Sequence, residues 1–308
     1  MSAPVTVVGE ALIDIVMPFA GGVKEHVGGS PANVAIGLAR LGHATQLATH
    51  IGTDERGRRI SDLMASEHVS LAPGSTDAER TPTAAAHLDA FGVATYEFDL
   101  EWKLDPAQVQ VPVGGHLHTG SIGATLAPGG EAVLGIVRSA RGHATVSYDP
   151  NARPTLMGSP EQARTVIERL VALSDVVKAS DEDVRWLYPG VPVPQVLAHW
   201  AGLGPSVCAV TQGGDEVVVL AAGEVQRFPT LPTSVVDTVG AGDSFMSGLL
   251  SGLLDAGLLG GPDARERLRF AGSPSIAAAV ERALACSAIT VSRAGANPPT
   301  RADLEIEV

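Results

Sequence analysis

Short runs rich in Val, Ala and Leu alternate along this chain with amphipathic stretches of about a dozen residues, and that alternation restricts the fold more than any other feature. "ATQLATHIG" (44–52) reads as a strand and "GRRISDLMASEHV" (57–69) as a helix with one apolar face. The pair returns as "ATVSYDPN" (144–151) and "SPEQARTVIERLVALS" (159–174), then as "DVVKAS", "PVPQVLAHWAGLG" and "SVCAVTQGG". Strands separated by helices predict an α/β fold, a mostly parallel sheet flanked by helices on both faces. At "GGSPANVAIGLARLG" (28–42) Ser30 is expected to cap a helix, with Pro31 in its first turn and Gly42 at its end. Val34, Leu38 and Leu41 then share the core face.

One region departs from the rhythm. "TAAAHLDAFGVATYEFDL" (83–100) alternates with period two and has no helical pattern, so it reads as a hairpin turning at Phe91-Gly92. "GEALIDIVMPFAGGVKEHVGGS" would add strands to the same small sheet, although "VTVVGEALIDIV" itself reads as one strand-like run. No linker divides the 308 residues, so a single domain, 1–308, is expected, with a β lid from about 12–28 and 83–100.

Composition excludes several classes. A net charge of -13 argues against nucleic acid or an anionic membrane as partner. Glu281 and Arg282 interrupt the most apolar run, and Glu10 and Asp14 lie inside the apolar N-terminus, which has no basic leader. Cys208 and Cys286 are far apart in apolar surroundings and read as buried thiols of a cytoplasmic protein. His116 and His118 share one strand face without a third ligand at suitable spacing, so they read as structural.

An acidic chain that handles phosphate needs a local positive site, and "VVDTVGAGDSFMSGLL" (235–250) supplies one. Small residues at 240–242 expose backbone N–H groups, and the helix that follows adds about half a positive charge from its dipole. Asp243 would stand beside a bound phosphate, placed to take a proton from an attacking hydroxyl. A simple N-cap is the plain alternative, but it leaves Asp237, six residues earlier, unexplained. No P-loop and no G-x-G-x-x-G following a strand compete for the role.

The "GGSPANVAIGLARLG" and "DTVGAGDSF" stretches resemble the two signatures of the ribokinase-like (PfkB) carbohydrate kinases, and the resemblance runs in order over essentially the whole chain. "HTGSIG", "SYDPNARP", "VVKASDEDV" and "TQGG" look most like bacterial fructokinases, with 2-keto-3-deoxygluconate kinases the nearest competitor. The resemblance implies transfer of a phosphoryl group from ATP, with Mg²⁺, to a sugar hydroxyl beneath the lid. Asp243 would be the base, and the N–H groups of Gly240, Ala241 and Gly242 the anion hole. Asp14, Gly29, Asn33, Phe98 and Arg153 would meet the sugar, and Tyr96 would alternate with Phe98 on the lid. Ser180, Thr211, Gly213, Gly214 and Asn297 would lie on the nucleotide side, and Asp183 and Asp237 near metal. The sequence has Ser180 and Asp183 where the family often has Asn and Glu, and Pro299 where some members have a serine that helps hold K⁺. The expected partners are sugar and ATP, with neither nucleic acid nor membrane, and a second copy of the chain through the lid. Other readings are a different ribokinase-type sugar or nucleoside kinase, or a catalytically silent sugar-binding protein.

Overall fold

The computed structural model describes residues 3–18, 21–88 and 94–306. The opening apolar run is two strands rather than one. β1 (Val5–Val8) lies in the large sheet, whereas β2 (Leu12–Met17) leaves it and pairs antiparallel with β3 (Lys24–Gly28). The break falls at Gly9, where a Cβ would stand 2.3 Å from the Pro31 ring, so only glycine lets the chain pass.

Helix α1 (Ser30–Arg40) follows, and here the expected cap is corrected. Gly29 is the N-cap, at φ 107, and Ser30 is already helical with its hydroxyl turned elsewhere. Then come β4 (Thr45–Ala48), α2 (Glu55–Ser66) and β5 (Val69–Leu71), with the Asp54 carboxylate capping α2 by accepting the Gly57 N–H. β6 (Thr83–Leu88) and β7 (Ala94–Asp99) form the expected hairpin, although its Phe91-Gly92 turn lies outside the described residues. The small sheet has the order β3-β2-β6-β7, with β2 parallel to β6.

The second half of the chain repeats the α/β unit. Its elements are β8 (His116–Gly120), α3 (Gly129–Ala140), β9 (Thr145–Asp149), the short α4 (Pro154–Met157), α5 (Pro160–Val171) and β10 (Val176–Ser180). They continue with α6 (Asp181–Leu187), α7 (Val193–Leu203), β11 (Val207–Gln212), β12 (Glu216–Ala221) and β13 (Glu224–Pro229). The chain closes with α8 (Ala241–Asp255), α9 (Ala264–Arg269) and α10 (Ser273–Val291).

The large sheet runs β13-β12-β11-β10-β9-β8-β1-β4-β5; β12 pairs antiparallel with both β11 and β13 and runs against the other strands, which share one direction. Alternate residues of its strands feed two cores: Val7 and Val176 face α1, α8 and α10, and Val8 and Val177 face α3, α5 and α7. Leu249, Leu250 and Leu253 of α8 are fully buried, each contributing roughly 1.5–3 kcal/mol. α10 is long and apolar, but its buried positions, such as Ala279 and Ala283, pack on Gly252 and Gly248 of α8. Both cysteines are buried free thiols, and burial pushes each up to about 12. The ring nitrogens of His116 meet the hydroxyls of Thr145 and Ser147, and His118 Nδ1 meets Ser147, within the sheet.

Candidate active site

The chain fills the sheet from β1 towards β5, then resumes at β8 on the other side of β1. Ligands in such sheets bind at the carboxyl ends of the strands beside this switch point. A cleft of about 690 Å³ opens there, walled by Glu10, Ser121, Arg153, Lys178, Thr211 and Asp243 among others, with Leu12, Asp14, Ala84 and Phe98 of the small sheet over it. A larger cavity of about 1390 Å³ lies at the opposite ends of the strands, where Arg265 and Asp175 are paired with each other at 2.6 Å. Only the first cavity combines strand ends, a helix N-terminus and the small sheet.

The turn into α8 is built for an anion. Gly240 takes φ 77, and a Cβ there would lie 2.6 Å from that of Ala296. The N–H groups of Gly240, Gly242 and Asp243 have no acceptor among the described residues. The Ala241 N–H, the remaining member of the expected triplet, bonds Thr238 O at 3.2 Å as part of the turn. The Asp243 N–H thus joins those of Gly240 and Gly242 as a donor without an acceptor among the described residues.

Asp243 sits where both sequence signatures meet. Its Oδ1 accepts from Ser30 Oγ at 2.6 Å, and its Oδ2 from Asn33 Nδ2 at 2.8 Å. Asn33, expected to bind sugar, thus holds the carboxylate in this state, and Ser30, expected as a cap, does the same. Both residues also line the cleft, as does Gly29.

Among the residues expected to meet sugar, burial raises Asp14 above its ordinary value, against the pull of Arg153 and His26. Arg153 is exposed and donates to the oxygens of Asn151 and Ala152. Phe98 lines the cleft, and the side chain of Tyr96 lies outside the described residues. Glu10 was not singled out as a site residue. It is 5% exposed at the end of β1, and its Oε2 accepts the Gly123 N–H at 2.8 Å across the switch point. Burial pushes it up to about 7, opposed by hydrogen bonds from Ser121 and Gly123. Ser121 (φ 55) and Asn151 (φ 36) hold left-handed backbone at the ends of β8 and β9, strain of the kind that gathers at functional sites.

A buried ion pair was also missed. Lys178 Nζ donates to Asp149 Oδ2 at 2.7 Å, with the two side chains 5% and 1% exposed. Burial pushes the Asp149 carboxyl up to about 6 against the pull of Lys178. Burial lowers Lys178, but the charge and hydrogen bond of Asp149 outweigh it and hold the ammonium above its ordinary value. The signal was in "DVVKAS": a lysine within a central apolar strand requires a buried partner.

The nucleotide-side expectations divide. Thr211 and Gly213 line the cleft, whereas Gly214 does not, and its carbonyl accepts the Thr230 hydroxyl. Ser180 caps α6, forming a reciprocal box with Asp183, whose other oxygen accepts the Ala152 N–H at 2.7 Å. Asp183 therefore fastens β9 to α6 while lining the cleft. Asn297 stands outside the lining of the cleft, and its amide oxygen accepts from Arg40 at 2.6 Å. The Asp237 carboxylate accepts the N–H groups of Val239 and Gly295, closing two loops on each other, and these bonds lower it below its ordinary value. No group of three or more potential metal-ligating His, Cys, Asp or Glu occurs among the described residues.

A doubly wound sheet, a helix end with free N–H groups, and a carboxylate between that end and a polar crevice define a phosphotransferase acting on an alcohol. The chain belongs to the PfkB family: the model described as "pfkB family carbohydrate kinase" matches residues 3–303. It is a carbohydrate kinase of ribokinase-like fold. It is 34% identical to a fructokinase of Klebsiella pneumoniae over 84% of this chain and 87% of that protein. A fructokinase of Xylella fastidiosa with bound ATP superposes with a TM-score of 0.85 at 26% identity, covering 99% of this chain and 98% of that one. A double mutant of the Vibrio cholerae O395 fructokinase, holding fructose, ADP and potassium, gives a TM-score of 0.82 at 25% identity, covering 99% and 98%.

Proposed function

We propose that this protein is a fructokinase, transferring the γ-phosphoryl group of ATP to a hydroxyl of fructose. The observation that carries the choice of sugar is the charge around the sugar end of the cleft. Glu10 and Asp14 face it, and Arg153 is the nearby cation acting on both. A neutral polyol offers hydroxyls to both carboxyl groups and to Arg153. A sugar acid such as 2-keto-3-deoxygluconate would bring a further negative charge against the two acids. The fructokinase names of the relatives support the same choice.

In this reading the β2-β3-β6-β7 sheet is a lid that closes over the sugar and excludes water. Asp243 exchanges its bonds to Ser30 and Asn33 for the sugar hydroxyl and takes its proton. The free N–H groups of Gly240, Gly242 and Asp243 receive the phosphoryl oxygens. Mg²⁺ would enter with the nucleotide, held by phosphate oxygens and water, and would neutralise phosphate charge. Each oxygen of Asp183 accepts one backbone N–H and keeps a lone pair with which to orient that water. K⁺, present in the Vibrio structure, would find Asp237 as the anionic group of the loops abutting the α8 turn. The protein acts in the cytoplasm, and the lid is the surface through which two copies would meet.

The test is ADP release, coupled to an indicator enzyme, over fructose, ribose, 2-keto-3-deoxygluconate and nucleosides. Fructose should give the highest kcat/KM. A higher value with the acid sugar would overturn the charge argument, and no turnover with any acceptor would favour a silent sugar-binding protein.

A further inference from the structure

We propose that Lys178 is the cationic member of the anion hole, contacting the phosphoryl group in flight, and that Asp149 is its positioning residue. This rests on the kinase reading above and deepens it. Lys178 leaves β10 at the floor of the cleft, and its Nζ would lie 3.0 Å from a Cβ on Gly242. The ammonium therefore rests against the first turn of α8, beside the free N–H groups of Gly242 and Asp243. A glycine at 242 is what admits it. Asp149 is the acceptor found for it among the described residues, so two of its three donors remain for a ligand.

The surroundings make such a charge necessary. The cleft carries Glu10, Asp14, Asp181, Glu182, Asp183 and Asp243, and a triphosphate would add more negative charge. Arg153, the other cation lining the cleft, is exposed at the sugar end. A surface lysine is held in place poorly, because its side chain has many rotamers to lose. Lys178 is already ordered: its stem is buried in the sheet, and Asp149 fixes its head at 2.7 Å. A preoriented donor in a dry site stabilises developing charge without reorganising at the moment of reaction.

In the step itself the sugar oxygen forms a bond to the γ-phosphorus while the bond from that phosphorus to the β,γ-bridging oxygen breaks. The electron pair of the broken bond leaves with ADP, and the hydroxyl proton goes to Asp243. Lys178 and the α8 N–H groups take up the charge on the transferred oxygens, and no oxidant or reductant is involved.

The experiment uses the full chain in two variants. Lys178→Met with Asp149→Asn removes both charges, so neither is left buried without a partner. Lys178→Gln removes the positive charge while keeping a donor towards Asp149. Each is titrated with ATP and ADP by calorimetry, assayed on the best sugar, and melted, with rates referred to the fraction that binds ADP. We expect kcat to fall about 100-fold or more in both variants, the size of effect seen on losing one oxyanion donor. Sugar KM should change little, and the preference for ATP over ADP should weaken about tenfold, as for a lost charge-assisted contact to the γ-phosphate. A folded variant of either kind with wild-type kcat and an unchanged ATP-to-ADP ratio would overturn the proposal and leave Lys178 a partner for Asp149 alone. The affinity ratio needs no sugar. If wild-type protein phosphorylates none of the acceptors, the sugar assignment fails, and the ratio still decides the role of Lys178.

Discussion

Asp243→Asn separates an aspartate that only ties α8 to α1 from a general base, and the structure sets the size of each effect. The substituted amide keeps the shape and one oxygen, which still accepts from Ser30. Its NH₂ group would face the Asn33 Nδ2 donor, a conflict relieved when the Asn33 amide turns over and presents its oxygen. Gly240, not Asp243, is the N-cap of α8, so the substitution removes no cap and the local geometry survives. Loss of the negative charge at the start of α8 costs roughly 0.3–1 kcal/mol of dipole interaction. Its removal also relieves repulsion on Asp149. The net change in stability should stay within about 1 kcal/mol, a shift in Tm of no more than roughly 4 °C for a chain this long. Turnover should behave differently, because a neutral amide does not accept the hydroxyl proton. Loss of general-base catalysis costs about 10²–10⁴-fold, or about 3–5 kcal/mol of barrier. ATP affinity should hold or rise, with one negative charge fewer beside the phosphates. The measurements are kcat on the best sugar, nucleotide affinity by calorimetry and Tm on the same preparation. A folded Asp243→Asn protein with near wild-type kcat would refute the catalytic role.

Three further predictions follow from the cleft. Arg153→Ala removes an exposed cation that pulls on Asp14 and Glu10, so sugar kcat/KM should fall about tenfold or more with Tm unchanged; equal kinetics would assign Arg153 to the surface. Glu10→Gln should stabilise the protein at high pH. The folded carboxyl titrates at about 7 against 4.5 unfolded, so the native state binds the extra proton between those values and wild-type stability falls as pH rises through them. Urea unfolding at pH 4 and pH 8.5 should show the variant's advantage growing to about 3 kcal/mol at the higher pH, and a constant difference would mean that Glu10 is not buried as described. Bound sugar should protect the amides of 12–17 and 83–88 from hydrogen exchange more than ATP does, and equal protection would count against closure of a lid.

Much of this protein was legible in its sequence because the signals are local. Helical and strand periods depend on near neighbours, so the α/β rhythm and the hairpin at 83–100 could be read from residues a few positions apart. The glycines before α8 were readable for the same reason: a turn at positive φ followed by a helix start is a short-range demand. The division of "VTVVGEALIDIV" between two sheets was not, because it depends on distant strands, β4 and β8 pairing with β1 and β6 with β2. Ser30 looked like a cap until α8 was brought against α1, 213 residues later in the sequence, and gave its hydroxyl a carboxylate. Asn297 carried no sign of Arg40, nor Lys178 of Asp149, although a lysine in an apolar strand announced that some acid had to meet it. Residue types and periods are written along the chain and establish which groups are present. Which group pairs with which depends on strand order and helix packing, and the closing of the sheet at β1 and β8 put Glu10, Lys178 and Asp243 around one cleft.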